Sequence, residues 1–350
     1  MPQNDSPGRR DLVVTVGNSA SPHLRIWVAE AERLGWERIH VDSHPPGGPR
    51  QLVREVRAAR RLLRERRRAG ARVSVQGHGA GRSGLLAALL VDPHPTTIVH
   101  GSEVIAAGDA SWPARTAVRW VLRRSSEVIV TAASTAPFVT ALAPGTTDKI
   151  RLVHPGVEWS ELEVAHVDPG KEEVSVLSVR RMLPLYEIVD LVEAHQRDSA
   201  RAELILLRGA IDPAESYAAA VDAQVSADPR RIRVISDFLD PKGLAQLYAE
   251  ADIAVSLAGT DQLSSSVLEA LGAGCVLVLT DLDAYRSVSA LPQVVRVRPR
   301  PTVDEIDAAL DAAGQVLERL GRGAEERRLR ARAAREAFEQ GQSGGTSILT

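Results

Sequence analysis

Two acidic residues, Asp261 and Glu269, lie eight positions apart and flank a serine-rich segment. Three serines at 264–266 precede an amphipathic run that predicts a helix, and an apolar strand at 276–279 follows it. The first turn of a helix has backbone N–H groups without intrahelical partners, and these groups suit a phosphate. A carboxylate one or two turns further along can accept hydrogen bonds from sugar hydroxyls. The segment therefore favours a nucleotide-sugar site over a redox or metal site.

Composition and charge limit the classes of protein to which this chain can belong. Its 350 residues suffice for two ordinary domains, and 44% hydrophobic with 25% charged residues is typical of a globular protein. The formal net charge of −2 gives no overall attraction to nucleic acid, so we expect no nucleic-acid partner. The single cysteine, Cys275, excludes an internal disulfide and a cysteine zinc cluster. These features favour a reducing compartment.

Short apolar runs alternate with longer amphipathic runs along the chain, which predicts strands separated by helices. The expected strands lie at 12–16, 39–41, 73–75, 97–99, 128–130, 149–153, 174–179, 203–207, 232–235, 253–256, 276–279 and 294–297. The expected helices lie at about 23–34, 51–68, 188–196, 217–225, 244–250, 303–320 and 324–338. This alternation is typical of an α/β fold with parallel sheets, whose ligands bind beyond the carboxyl ends of the strands.

A break in this pattern after about residue 153 divides the chain into two halves. A polar stretch rich in Glu, Asp and Gly then reaches about residue 173. We interpret it as the linker between two α/β domains of similar size, 1–165 and 166–322. Residues 323–350 would form a C-terminal helix and a frayed tail. In one interpretation this helix packs back on the first domain. With two facing domains, the default ligand site is the cleft between them.

The predicted helix 51–68 is the segment that suggests contact with a membrane. Leu52, Val56, Ala59 and Leu63 fall on one face, whereas its arginines fall largely elsewhere. One interpretation is a helix that packs on a sheet and leaves its arginines in solvent. The other is electrostatic contact with anionic lipid, in which each arginine adds about 1 kcal/mol. Because no apolar run approaches the ~20 residues of a membrane span and no signal peptide is evident, we expect a cytoplasmic protein, with a peripheral position on the inner membrane face as the alternative.

Four segments resemble motifs of one enzyme group, in the same order along the chain. Residues 17–27 (GNSASPHLRIW) resemble S-P-H-x-R-x-W, and residues 99–104 (VHGSEV) resemble H-G-S-D. Residues 177–187 (LSVRRMLPLYE) lie where the group has G-R-L-x-P-x-K-G, and residues 261–269 (DQLSSSVLE) lie where it has E/D-G-x-S-x-S-L-L-E. Together they resemble the retaining glycosyltransferases of family 4, also called glycosyl transferases group 1, in the subgroup that builds polysaccharides and glycoconjugates.

The resemblance implies a GT-B fold, in which two facing Rossmann-like parallel-sheet domains enclose an interdomain cleft. Domain 1–165 would bind the acceptor, and domain 166–322 would bind the nucleotide sugar. The implied activity is transfer of a sugar from a UDP- or GDP-sugar, with retention of configuration, to a hydroxyl of a small-molecule, glycan or lipid-linked acceptor. The nine histidines are scattered along the sequence, and we expect no metal ion and no cofactor beyond the substrate itself.

The resemblance also implies roles for individual residues. Glu269 would bind the ribose hydroxyls, Asp261 the hydroxyls of the transferred sugar, and Arg181 the diphosphate. His100 would contact the donor sugar, and Phe238 would line the base pocket. The implied donor-binding residues are Arg180, Arg181, Phe238, Asp261, Ser264, Ser265, Ser266 and Glu269. The implied catalytic residues are His100, Arg181, Tyr186 and Asp261. The expected acceptor-side residues are Gly17, Asn18, Ser19, His23 and His78.

Three departures from these motifs matter for the chemistry of the site. Tyr186 stands where the family has a lysine that assists the leaving phosphate, and tyrosine can donate a hydrogen bond but carries no cation. Arg180 stands where the family has a glycine, and it would supply the missing charge. Gln262 replaces another glycine, so the turn after Asp261 lacks the backbone freedom that the motif has there.

Several alternatives stay open at this point. The same donor site fits a GT-B sugar-nucleotide 2-epimerase, and the changes at Tyr186 and Gln262 fit a glycosyltransferase-like scaffold with weak catalysis. A hydrolase would need Asp261 and Glu269 as an acid–base pair at a defined separation across a glycosidic bond. Among the single residues, Asp261 could instead cap the helix that carries Glu269, and His100 could be a buried core histidine.

Overall fold

The computed structural model describes residues 11–19, 34–90, 94–107, 110–154, 174–198, 203–208, 215–227, 231–237 and 239–341, with single positions at 24, 27, 31, 32, 157, 159, 162 and 229. The chain forms two compact units, one ending at Gly156 and the other spanning Val157–Gly341. Each unit contains a six-stranded sheet with parallel pairing. The α/β fold predicted from the sequence is therefore confirmed.

The first sheet consists of six short strands in the order β2-β1-β3-β4-β5-β6. They are β1 (Leu12–Gly17), β2 (Glu37–Asp42), β3 (Val73–His78), β4 (Thr96–Val99), β5 (Glu127–Val130) and β6 (Ile150–Leu152). Every residue of β1 is buried. Parallel strands of this kind are covered on both faces, so they appear in the sequence as unbroken apolar runs and not as an alternation.

Helices connect the strands of this unit. In the described part they are α1 (Gly48–Arg68), α2 (Arg82–Leu90), α3 (Ser102–Ala106), α4 (Trp112–Arg124) and α5 (Ala136–Leu142). α1 packs against β1, β2 and β3. It buries Ala59 and Leu63 and carries arginines in its last turn, as its amphipathic pattern predicts.

The second sheet also has six strands, in the order β12-β11-β10-β7-β8-β9. They are β7 (Ser175–Ser178), β8 (Glu203–Leu207), β9 (Ile232–Ile235), β10 (Ile253–Ser256), β11 (Val276–Thr280) and β12 (Val294–Val297). The described helices of this unit are α6 (Ile188–Arg197), α7 (Glu215–Ala227), α8 (Pro241–Glu250), α9 (Ser265–Gly272), α10 (Val303–Leu320) and α11 (Ala324–Gly341).

The strand order of the second sheet reverses between β7 and β10. β8 lies on one side of β7, and β10 lies on the other. At such a point the loops that follow the two strands diverge and leave a crevice at their carboxyl ends. Arg180 follows β7 in the sequence, Asp261 follows β10, and Tyr285 follows β11. The sheet therefore brings these three residues to one edge.

The last helix, α11, belongs to the second unit. Its Arg327 is buried and donates to the carbonyl oxygens of Ala251 at 2.8 Å and Tyr248 at 3.1 Å. Its Phe338 is buried as well, with the ring centroid 5.9 Å from that of Trp159. Trp159 precedes the domain boundary predicted after residue 165, yet it packs in the core of the second unit. The predicted boundaries and the predicted return of this helix to the first domain stay predictions.

Over the residues that the structure describes, no helix combines the length and the apolar character needed to cross a bilayer.

Candidate functional site

Arg180 lies at the centre of a polar cluster at the carboxyl edge of the second sheet. Its side chain is 9% exposed. It donates from Nε to Ser256 Oγ at 2.8 Å, and from Nη2 to Asp261 Oδ2 at 2.5 Å and Ser264 Oγ at 2.7 Å. Burial by itself would lower the pKa of Arg180, but the Asp261 carboxylate and two neighbouring tyrosines raise it overall. The guanidinium is therefore a permanent cation with a fixed orientation.

Asp261 is held by two donors that share one of its oxygens. Arg180 Nη2 and the Tyr285 hydroxyl both donate to Oδ2, and the same hydroxyl accepts from Arg180 Nη2 at 3.1 Å. Oδ1 accepts the backbone N–H of Gln262 at 2.9 Å. Ser264 is the N-cap of α9, so the interpretation of Asp261 as the cap is wrong. Oδ1 can still accept a hydrogen bond from a ligand hydroxyl, because a carboxylate oxygen has two lone pairs.

The amino end of α9 faces this cluster. No described side chain caps its backbone N–H groups, and the Ser264 hydroxyl accepts from Arg180 and lies 3.1 Å from Ser266 Oγ. The three serines, including Ser265, are half-buried. N–H groups at a helix amino end carry a partial positive charge that favours an anion. The arrangement therefore combines a fixed cation with backbone donors.

Glu269 lies one turn into α9 and is half-buried. Its Oε2 accepts a hydrogen bond from the Tyr248 hydroxyl at 3.2 Å, and the Ser265 side chain also contacts the carboxylate. Burial raises the pKa of Glu269, although the hydrogen bonds from these two residues act in the opposite direction. The carboxylate is thus a partly desolvated acceptor close to the amino end of the helix.

The motif residues that follow Arg180 have different environments. Arg181 is exposed and forms no ion pair with any residue that the structure describes. The Tyr186 ring lies against Arg180, with the guanidinium carbon 5.2 Å from the ring centroid, which is a cation–π contact. Glu187 has φ 49° and ψ 40°, in the left-handed region that favours glycine. It occupies the last glycine position of the motif.

The first unit brings three other predicted residues together at the carboxyl ends of β1, β3 and β4. Gly17 ends β1, and a Cβ atom placed on it would lie 3.2 Å from the Cβ of His78. The His78 ring stacks on the His100 ring, with centroids 6.3 Å apart and planes inclined by 22°. Burial lowers the pKa of His100 to about 4, so its imidazole is neutral at pH 7.

Glu103 fixes the loops that carry these two histidines. Its Oε1 accepts the backbone N–H groups of His100 at 2.9 Å and of Ala80 at 3.3 Å. Gly79 and Gly101, which follow the histidines, have φ of 102° and 92°. Glu103 occupies the acidic position of the H-G-S-D motif, which is the sequence signal that could have identified it.

Asn18 and Ser19 are exposed residues of the loop after β1. Ser19 Oγ donates to Asp42 Oδ2 at 2.5 Å, where β2 ends. Burial would raise the pKa of Asp42, but hydrogen bonds from Ser19 and from the backbone of His44 lower it overall. The loop is thereby tied to the same edge of the sheet as Gly17.

Two predicted site residues, His23 and Phe238, lie outside the described residues, so their roles stay predictions. Among the positions that the structure describes, no three His, Cys, Asp or Glu side chains stand together in a way that could hold a metal ion. Metal independence also stays a prediction.

No protein-family profile matches this chain, and no curated protein matches its sequence. Solved structures, in contrast, are similar over nearly its whole length. A glycosyltransferase from Rickettsia africae is 14% identical with a TM-score of 0.68, and the match covers 96% of this chain and 94% of that one. HepE from Anabaena, in complex with UDP-glucose, is 13% identical with a TM-score of 0.71, and the match covers 93% and 95%.

Sucrose-phosphate synthase from Thermosynechococcus elongatus is 16% identical with a TM-score of 0.69, and the match covers 95% of this chain and 98% of that one. These three neighbours are GT-B glycosyltransferases. Two six-stranded parallel sheets with their helices are the architecture of that fold. The chain therefore has the GT-B fold.

Proposed function

We propose that this protein is a retaining glycosyltransferase of the family 4 type, which transfers a sugar from a UDP- or GDP-sugar to an acceptor hydroxyl. The observation that carries the proposal is the convergence of Arg180, Asp261 and Glu269 on the uncapped amino end of α9. A cation and helix N–H groups match a diphosphate, and two carboxylates match the hydroxyls of two sugars. UDP-glucose, which is bound in the neighbour HepE, contains a diphosphate and two sugars.

In this proposal the donor lies along the carboxyl edge of the second sheet. Glu269 accepts the ribose hydroxyls, and Oδ1 of Asp261 accepts a hydroxyl of the transferred sugar. Arg180, Arg181 and the N–H groups of the serines at 264–266 bind the diphosphate. Negative charge grows on the diphosphate as the bond to the sugar C1 breaks, so fixed donors there lower the barrier. Removal of one such donor typically costs about 2.7–4 kcal/mol.

The acceptor is a small molecule, a glycan or a lipid-linked sugar that binds at the edge formed by Gly17, Asn18, Ser19 and His78. The acceptor hydroxyl attacks C1 from the face that the diphosphate leaves, and the leaving phosphate takes its proton. No enzyme nucleophile takes part in this route, and the configuration at C1 is retained. His100 is neutral at pH 7, so it contacts the donor sugar as a hydrogen-bonding group and not as a cation.

A thermal-shift screen with nucleotides and nucleotide sugars tests the donor site. A ligand at 100 times its Kd stabilises the folded protein by about 2.7 kcal/mol, which such a screen detects. Glu269→Ala should abolish the shift, whereas the control Glu318→Ala, at an exposed position on α10, should preserve it. Unchanged nucleotide affinity in Glu269→Ala would exclude the assigned role of Glu269.

Turnover assays separate the proposal from its two alternatives. Transfer that depends on an added acceptor supports the glycosyltransferase. Release or epimerisation of the sugar without an acceptor indicates a 2-epimerase. Donor binding with no turnover above background indicates a scaffold.

We also propose a peripheral contact with anionic membrane through α1. A groove of about 410 Å³ separates α1 from α2 and α4. The described residues that line it include no acidic side chain and four arginines, which are Arg60, Arg64, Arg67 and Arg124. Leu89 and Trp120 line the same groove and are 51% and 40% exposed. Arginines beside exposed apolar side chains suit the headgroup region of an anionic bilayer.

Co-sedimentation with phosphatidylserine-containing vesicles at low salt tests this contact. The triple variant with Arg60, Arg64 and Arg67 changed to Gln should bind about a hundredfold more weakly, since each arginine contributes about 1 kcal/mol. The control triple variant changes Arg286, Arg328 and Arg332, three exposed arginines of the second unit, to Gln and should bind like wild type. Equal binding of both variants would contradict the role of the groove.

A further inference from the structure

Tyr285 has a place in the polar cluster that none of the sequence motifs assigns. It ends a short 3-10 turn, Asp283–Tyr285, after β11, and it is completely buried. Its hydroxyl donates to Asp261 Oδ2 and accepts from Arg180 Nη2 at 3.1 Å. A tyrosine hydroxyl has one proton and two lone pairs. It therefore bridges the acid and the cation, and it satisfies both with one group.

The contacts of Arg180 leave one end of its guanidinium available. The hydrogen bonds to Ser256, Asp261, Ser264 and Tyr285 all use Nε and Nη2. No described residue forms a hydrogen bond with Nη1. The Tyr186 ring covers one face of the group at 5.2 Å. The guanidinium group is therefore fixed along one edge and one face, and Nη1 is the nitrogen that can donate to a ligand.

We infer that Tyr285 is a positioning residue of the donor site. By holding Arg180 and Asp261 in one rigid unit, it presents Nη1 to the diphosphate and Oδ1 of Asp261 to the sugar. Arginine has a flexible side chain, and its bidentate contact with phosphate depends on the angle of the fork. A guanidinium that is held before the ligand arrives loses less freedom on binding. This inference rests on the proposed function, because it assumes that the ligand of this edge is a nucleoside diphosphate sugar.

The gain in affinity from the second phosphate tests the inference. Isothermal titration gives the Kd values of UMP and UDP, and of GMP and GDP, and the ratio within a pair reports the contribution of the β-phosphate. Tyr285→Phe keeps the ring but removes the hydroxyl, so the ratio should fall on the order of tenfold while the affinity for the monophosphate stays within about twofold. Tyr217→Phe is the matched control, since its hydroxyl accepts the backbone N–H groups of Val189 and Ile188, outside this cluster.

Ser256→Ala is a second variant that tests the same inference if Tyr285→Phe does not fold. It removes the acceptor of Arg180 Nε and the hydrogen bond between Ser256 and the Tyr285 hydroxyl, and it keeps the side chains of Asp261 and Tyr285. The same selective fall of the diphosphate ratio is expected. An unchanged ratio in a folded variant, or an equal loss for mono- and diphosphates, would overturn the inference and leave the proposed function in place. Failure of the wild-type protein to bind any of the four nucleotides would overturn the proposed function, and the inference with it.

Discussion

Replacement of Glu187 by glycine should stabilise the second unit, because this residue has a backbone conformation that side chains disfavour. Its φ of 49° and ψ of 40° lie in the left-handed region. It connects the turn Pro184–Tyr186 to α6, and its side chain makes no capping hydrogen bond there. In this region a non-glycine residue destabilises the folded state by about 1–2 kcal/mol. Glycine avoids this steric cost, but it loses more conformational entropy on folding, which offsets a part of the gain. We expect glycine to be about 1 kcal/mol more stable than alanine at this position.

The pair Glu187→Gly and Glu187→Ala isolates the backbone effect, because both substitutions remove the carboxylate. Differential scanning calorimetry of the whole chain should resolve the effect in the transition of the second unit. For a unit of its size, 1 kcal/mol corresponds to about 2–4 °C in Tm. The glycine variant should therefore unfold about 2–4 °C above the alanine variant. Equal Tm values for the two variants would refute the left-handed conformation at Glu187.

The charge of Glu187 adds a separate effect that depends on pH. Burial and the neighbouring Asp190 raise its pKa. A carboxyl group with a raised pKa in the folded state contributes its full stability below its ordinary pKa of 4.5 and loses it as the pH rises. The Tm of Glu187→Ala relative to wild type should therefore increase between about pH 4 and 7. A relative Tm that is constant over this range would show that the carboxylate is not destabilised by its surroundings.

Three further predictions concern buried polar groups. Burial raises the pKa of Glu269, so Glu269→Gln should raise Tm at pH 7. The gain in Tm should shrink as the pH falls towards 4.5, and a gain that does not depend on pH would contradict the raised pKa. The pKa of His100 is lowered to about 4, so the free energy of unfolding should fall as the pH drops from 6.5 through about 4, and His100→Phe should reduce that fall in acid-unfolding curves. Arg327→Ala should lower the free energy of unfolding in urea by about 3–5 kcal/mol because it leaves the buried carbonyl oxygens of Tyr248, Ala251 and Ala273 without their donor, while Asp252 keeps its ion pair with Arg322 at 3.0 Å. Arg328→Ala, next to it but exposed, should stay within about 0.5 kcal/mol of wild type.

The central strands of both sheets could be predicted from the sequence because they are buried on both faces, as β1, β7, β10 and β11 are. Runs such as 276–280 have neither polar residues on an exposed face nor a helical period, and the structure contains each predicted strand within a few residues of its expected bounds. β9 and β10 begin and end at the predicted residues. Burial imposes the apolar pattern, so the pattern identifies the element.

Several helices of the first unit could not be predicted in the same way. The glycines of segment 77–84 favour a loop, but β3 continues to His78 and α2 begins at Arg82. Here glycine allows close packing: a Cβ on Gly77 would lie 3.0 Å from the Cα of Gly84, and a Cβ on Gly84 would lie 2.6 Å from the carbonyl oxygen of Gly79. Local sequence does not distinguish a glycine that permits close contact from one that permits a turn.

The candidate site was predictable only where its residues share a segment. Asp261, the serines and Glu269 fall in one continuous stretch, so their spacing predicts a common site. Tyr285 and Ser256 come from separate strand ends and meet Arg180 only because β7, β10 and β11 are neighbours in the sheet. A lone tyrosine or serine after an apolar strand gives no sequence signal of such a contact.

Arg180 and Tyr186, which depart from the family motif at two positions, form a single structural unit. The Tyr186 ring covers the face of the Arg180 guanidinium, and Asp261 balances its charge. A lysine at 186 would place a second cation beside Arg180, and Asp261 would be the one carboxylate near both. A glycine at 180 would leave Asp261, Ser256 and the Tyr285 hydroxyl without their common partner. Each residue therefore fits only in the presence of the other. The edge of the second sheet keeps a cation next to the amino end of α9, but the cation comes from the end of β7 and not from position 186. Under the proposed function, we interpret the exchange as a relocation of the leaving-group charge from position 186 to Arg180. A scaffold that only binds the donor would use the same guanidinium, so turnover above background is the result that separates the two interpretations.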